Sequence, residues 1–159
     1  MGTRRQLFDA NTPLYNQAIE LFHDQMAAIV VEQVNELYGR KIDRITAFTE
    51  FFGPSSFAGW HDHVEQKELK LIDVSVFKQG FIQPKQFVDM FSGHSWCAEV
   101  VYTGNMSTQF ISDVRSGVYP VYEGVICKGS GWTAKIKTTQ YLDRLKSDNP
   151  LLWESQQLE

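Results

Sequence analysis

Lys135 and Lys137 are separated by one residue in Trp132-Thr133-Ala134-Lys135-Ile136-Lys137. The apolar alternation there predicts a strand, and alternate strand residues share a face. Two ammonium groups on one face repel each other unless water solvates them or an anion lies between them. Glu123 lies one predicted strand earlier, in Tyr122-Glu123-Gly124-Val125-Ile126-Cys127-Lys128. Two cations and a carboxylate suit a phosphate carrying its metal ion; a solvated outer face would carry the same residues. A second pattern is Phe48-Thr49-Glu50-Phe51-Phe52-Gly53-Pro54. Glu50 shares a strand face with Phe48 and Phe52. A carboxylate between aromatics is costly if buried alone and useful where a ligand presents hydroxyls, as a ribose does. At a strand end it can equally face water.

The elements that must position these residues follow from periodicity. Thr12 can cap a long helix with Pro13 at its first position. Tyr15, Ile19, Phe22, Met26, Ile29, Val30, Val34 and Leu37 form its apolar stripe, and Gly39 stops it. Strands are expected over 45–52, 69–77, 98–102, 121–127 and 132–137. The segment 53–67 reads as a loop and 80–82 as a connector. Short helices are expected over 84–90 and from Ser107 to about 114, and a last one, capped by Thr138 or Thr139, to 146. Gly129-Ser130-Gly131 reads as a hairpin turn. Adjacent strands with helices around them define an α+β fold with mainly antiparallel sheet.

Composition narrows the classes. The chain has 159 residues, the length of one ordinary domain, and its 43% hydrophobic content can build a core. The net charge of -4 argues against indiscriminate nucleic-acid or polybasic membrane binding. That charge is uneven. Residues 1–119 carry ten Lys/Arg against fourteen Asp/Glu, 120–146 carry five against two, and the tail 147–159 is acidic. Cys97 and Cys127 fit a reducing compartment better than a disulfide scaffold. No apolar run spans a bilayer, and Arg4 and Arg5 are followed by no signal-peptide stretch.

The patterns occur in an order that resembles the covalent nucleotidyltransferases, and most closely the ATP-dependent RNA ligases. In that family a GE-F-x-GP motif is matched by 49–54. A strand with an Asp-hydrophobic step is matched loosely by Leu71-Ile72-Asp73-Val74. EGxxxK is matched by Glu123 to Lys128, and KxK by Lys135-Ile136-Lys137. Ser107 to Tyr119 resembles the helix and turn before the EGxxxK strand. The resemblance covers roughly 2–146. It implies a nucleotidyltransferase (ATP-grasp-like ligase) adenylation domain over 1–159, with 147–159 as an acidic tail. Met1-Gly2-Thr3-Arg4 resembles the end of the motif that carries the nucleophilic lysine. That lysine would then lie two positions before Met1, so the domain is expected to be partial, truncated at its N-terminus. A late start codon, a split gene or a separate chain supplying the lysine would each account for this.

The resemblance implies ATP and Mg²⁺ as cofactors. A lysyl-AMP intermediate would form, AMP would pass to a 5′-phosphate, and a 3′-hydroxyl of RNA (or DNA) would complete the seal. Lys135 and Lys137 would bind the AMP phosphate, Glu123 would help hold the metal, and Glu50 would accept from the ribose. Arg4 would sit near the ribose or incoming phosphate, and Lys128 would contact nucleotide or strand. The second strand offers Leu69, Leu71 and Ile72 where the family usually stacks an aromatic on adenine, which leaves Phe52 and Phe77 as candidates. A cytoplasmic setting, that of a cell or of a phage's host, and no membrane partner are expected. DNA ligases, capping enzymes and a non-catalytic binding module of the same fold remain alternatives.

Other tempting residues read more plainly. His61, Asp62, His63 and Glu65 fit a polar surface loop better than a metal site. His94 and Cys97 lack a second pair to complete a zinc site. Cys127 reads as a small buried residue, and Trp60, Trp96 and Trp153 as core aromatics before base-stacking ones. No Walker-type loop is present.

Overall fold

The computed structural model describes residues 1–2, 7–9, 12–13, 15–54, 66–148, 150 and 153. Arg4, Trp60, the His61–Glu65 group and most of the acidic tail lie outside the described residues. The chain forms two compact units, Met1–Glu99 and Val100–Glu159.

In the first unit the predicted long helix is two, α1 (Tyr15–Gln25) and α2 (Ala27–Tyr38). Met26 interrupts the helical dihedrals at φ -120° and ψ -41°. Its N–H still donates to the Phe22 carbonyl (3.0 Å) and its carbonyl accepts from Val30 (2.9 Å), so the apolar stripe runs through the break. Thr12 binds the Asp9 carboxylate with its hydroxyl and accepts from the Asp9 N–H; this closes a turn in place of the predicted side-chain cap. Gly39 ends α2 at φ 60°.

The helices cover a three-stranded antiparallel sheet ordered β1 (Ile45–Phe52), β2 (Glu68–Val76) and β3 (Gly80–Phe81). The expected connector at 80–82 thus contributes a strand. The β1–β2 register shifts between Phe48 and Thr49: Phe48 faces Asp73 and Thr49 faces Leu71, so Ile72 is the extra residue of a bulge. Leu71 and Val74 differ in parity, and only this bulge turns both into the core, where each is 0% exposed. Helix α3 (Pro84–Phe91) adds Phe87 and Phe91. The core gathers Met26, Val30 and Val34 with Leu69, Leu71, Val74, Val76, Phe91 and Trp96. The strand expected over 98–102 is absent; just before it, Leu71 exchanges hydrogen bonds with Trp96 and Ala98 in an isolated bridge to Cys97. Trp96 is buried and stacks on His94, and Cys97 is buried as well.

In the second unit Ser107 caps α4 (Thr108–Arg115) by accepting from the Phe110 N–H at 3.1 Å. A two-residue turn at Ser130-Gly131 joins β4 (Gly124–Gly129) to β5 (Trp132–Lys137) as an antiparallel hairpin. Strand β4 begins three residues later than expected, because 121–123 pack as bends before it. Phe110 and Val114 of α4 bury Ile136, with Val125 and Cys127 packed alongside. Helix α5 (Thr139–Asp148) follows and buries Tyr141 and Leu145. No helix among the described residues is long and apolar enough to cross a membrane.

Candidate functional site

The hairpin register sorts its residues by face. Gly124 pairs with Lys137, Ile126 with Lys135 and Lys128 with Thr133. Directly opposed residues share a face, so Lys128, Lys135 and Lys137 lie together on the side away from Ile136 and the α4 core. Trp132, expected in the inner layer, is 46% exposed at the hairpin tip.

Glu123 sits one residue before β4 and its Oε1 lies 2.5 Å from Lys135 Nζ. Both groups are partly solvated, at 25% and 47% side-chain exposure. Such a pair contributes only about 0–1 kcal/mol, so it does not hold the hairpin together. The backbone fixes Glu123 more firmly: its carbonyl accepts from Thr138 N–H at 3.0 Å. The Thr138 hydroxyl donates to the Tyr122 carbonyl (2.7 Å) and accepts from Tyr141 N–H (3.1 Å), which caps α5. Thr138 is 2% exposed, so both bonds are sheltered from water.

Gly124 explains why a glycine follows Glu123. Its φ is 147°, and a Cβ there would lie 2.0 Å from the Ile136 carbonyl oxygen and 2.7 Å from Lys137 Cα. Only a residue without a side chain lets β4 approach β5 this closely. The close approach is what sets Glu123 against Lys135.

Lys137 Nζ lies 5.1 Å above the Tyr141 ring. Arg144 Nη1 donates to the Tyr122 hydroxyl and its Nε to Asp148 at 3.2 Å. The Tyr122 hydroxyl first, and Asp148 second, hold the Arg144 pKa above its ordinary value. Sequence reasoning placed Arg144 in the basic segment but missed Tyr122, Thr138 and Tyr141 as its scaffold; the Thr138 cap was the available signal. Beside this scaffold a cleft of about 340 Å³ is lined by Arg115, Tyr119, Tyr122, Thr138, Thr139 and Gln140 among others. Burial pushes the Cys127 thiol pKa up, in keeping with a packing role.

The first unit carries the other predicted residues. Phe48, Glu50 and Phe52 alternate on the outer face of β1, opposite Asp73, Lys70 and Glu68. Glu50 therefore faces a cation across the sheet as well as its aromatic neighbours. Lys70 Nζ is held by Glu68 at 2.8 Å and by the Ser95 carbonyl at 2.8 Å. Phe48 packs on Phe81 with ring centroids 5.3 Å apart. Gly53 ends β1 at φ 111°, its Cα face against the Gln66 carbonyl.

Among the described residues no group of three or more His, Cys, Asp or Glu gathers as a metal cage. Glu123 offers a single carboxylate, which fits a Mg²⁺ held mainly by water and phosphate oxygens and not a closed structural site. Comparison of the chain with family models, with curated proteins and with solved structures finds no match. The class is therefore carried by the fold itself: α+β, with two small antiparallel sheets and five helices among the described residues.

Proposed function

We propose that the chain is the nucleotide-binding part of an ATP-dependent RNA ligase of the covalent nucleotidyltransferase type. The observation that carries the reading is the hairpin register. It brings Glu123-Gly124 and Lys135-x-Lys137, separate in sequence, to one strand end, with Gly124 opposite Lys137 and Glu123 on Lys135. The four motifs resembling the family in order add to it.

In this reading Lys135 and Lys137 hold the AMP phosphate and offset charge as the α-phosphorus is attacked. Glu123 would help hold a phosphate-borne Mg²⁺, which would supply Lewis-acid neutralisation of the polyphosphate. Glu50 accepts from the ribose, with Phe52 beside it, and Lys128 contacts the nucleotide or the strand; Arg4, assigned by the resemblance to the ribose or the incoming phosphate, lies outside the described residues. In the resembled family the nucleophile is the lysine of a K-x-[DHM]-G-[ST]-[RN] motif, which these 159 residues do not contain in full. The substrates are ATP and RNA ends, and the setting is cytoplasmic.

Equilibrium dialysis with α-labelled ATP and Mg²⁺ tests the reading. The chain should retain ATP, and Lys135→Ala and Lys137→Ala should each weaken retention by roughly tenfold or more. It should gain no label that survives denaturation. Absence of ATP binding, or two alanine variants that bind as the parent does, would refute the reading. A preference for GTP would move it to the capping enzymes.

A further inference from the structure

The acidic first unit has one basic corner whose cations the ligase reading does not use. Strand β1 leaves the end of α2 through Gly39-Arg40-Lys41-Ile42-Asp43-Arg44. Asn35 pins this connection: its carbonyl accepts from Arg40 N–H at 3.1 Å and its Oδ1 from Ile42 N–H at 2.8 Å. The turn between β2 and β3 arrives beside it, because Phe77 N–H donates to the Arg44 carbonyl at 3.1 Å. Lys78 forms that turn at φ 63°. Arg40, Lys41, Arg44 and Lys78 are all exposed. Among the described residues none of the four pairs with a carboxylate.

Phe77 lies among these charges and is 50% exposed. The Arg44 guanidinium carbon sits 4.6 Å from its ring centroid. The more distant Lys78 Nζ lies at 5.4 Å. Half of this large ring lies open to solvent. Arg44 orients it, while the flexible Lys78 ammonium is only weakly tied at that distance and exposure. A half-open aromatic ring framed by unpaired cations is the arrangement that takes an unstacked base and its flanking phosphates.

We propose that this corner binds single-stranded nucleic acid. Phe77 stacks one base, and Arg40, Lys41, Arg44 and Lys78 hold the phosphates on either side. A duplex keeps its bases stacked and out of the ring's reach; a lipid surface would meet the same cations, and vesicle capture separates it from a single strand. The site needs neither ATP nor the Lys135–Lys137 hairpin, so it stands or falls separately from the ligase reading.

Fluorescence anisotropy of a labelled single-stranded oligouridylate, with the full chain and no ATP, tests it. Phe77→Ala should weaken binding about tenfold. Phe77→Trp should keep affinity, and its added indole emission should be quenched as the base stacks. Arg44→Gln and Lys78→Gln should each reduce the slope of log affinity against log salt by about 0.7, measured between about 50 and about 200 mM. No binding at the lower salt, or variants that bind as the parent does, would overturn the proposal. So would a duplex bound as tightly as the single strand, or phosphatidylserine vesicles captured with equal strength. If ATP dialysis fails while these results hold, the ligase reading alone is lost.

Discussion

Replacing Gly124 with alanine should damage the hairpin far more than the same change at Gly131. Both glycines have positive φ, 147° and 80°. Both substitutions therefore place an L residue where it is strained, at about 1 kcal/mol or somewhat more. The difference is space. Nothing lies within 4 Å of a Cβ added at Gly131, whereas at Gly124 it meets the Ile136 carbonyl oxygen at 2.0 Å. That neighbour is backbone, so the strands must part. Overpacking of this kind adds about 1–3 kcal/mol, and the Gly124–Lys137 pairing would go with it. With a urea m-value of about 1–1.5 kcal/mol/M for a small unit, an extra ~2 kcal/mol lowers the midpoint by roughly 1.5 M relative to Gly131→Ala. Urea unfolding followed by tryptophan emission reads this, with Trp132 at the hairpin tip as reporter. Equal midpoints for the two variants would refute the close approach of β4 to β5, and with it the account of how Glu123 meets Lys135.

Glu123→Gln keeps the side chain's shape and removes the charge facing Lys135. Affinity for pyrophosphate without metal should rise a few-fold, the gain from Mg²⁺ should vanish, and stability should change by less than about 1 kcal/mol; calorimetric titration with and without Mg²⁺ reads all but the last. Thr138→Val leaves the Tyr122 carbonyl and Tyr141 N–H without their buried partner, and should cost about 2–3 kcal/mol in urea unfolding, while Thr138→Ser restores most of it. The Cys127 pKa is raised in the folded chain, so the folded state holds that proton more tightly than the unfolded state. Its contribution to stability is complete below the unfolded thiol value of about 8.5 and is lost as pH rises through the folded one. Peptide mapping after iodoacetamide treatment at pH 8 should show Cys127 reacting more slowly than in urea, and Cys127→Ala should flatten the alkaline loss of stability.

Much of the fold was legible because it is local. Strands β1 and β5, the Gly39 stop, the Ser107 cap and the 129–131 turn each declare themselves within a few residues. The misses are non-local. Ala98 to Tyr102 alternates as a strand should, but alternation names a face and not an available edge. The bridge to Leu71 forms at Cys97, just before that stretch. The parity switch from Leu71 to Val74 was present in the sequence as the mark of a bulge, and becomes readable once Phe48 and Thr49 are seen to pair out of step. At the candidate site Glu123, Lys135 and Lys137 could be named from spacing. Thr138 could be named as a helix cap, but its hold on Tyr122 and Glu123, and that of Tyr122 on Arg144, could not, since they depend on α5 folding back onto the bend before β4.

That dependence separates two explanations of the basic hairpin. If Lys135 and Lys137 only decorate a solvated face, nothing requires Glu123 to be placed with care. Yet its position is determined twice, by the glycine that lets β4 close on β5 and by the Thr138 N–H that grips its carbonyl. Neither device strengthens the Glu123–Lys135 pair, whose exposure keeps its worth near 0–1 kcal/mol. A position that only glycine can fill and a buried cap therefore place a contact that does little for stability. A ligand that must meet a carboxylate and two ammonium groups at once would draw on that placement. Gly124→Ala and Thr138→Val should then lower phosphate affinity along with stability, because both displace Glu123. Lys137→Ala should lower affinity and leave the unfolding midpoint nearly unchanged. If the lysine variant instead loses stability in proportion to affinity, the hairpin is an ordinary surface and the phosphate assignment fails with it.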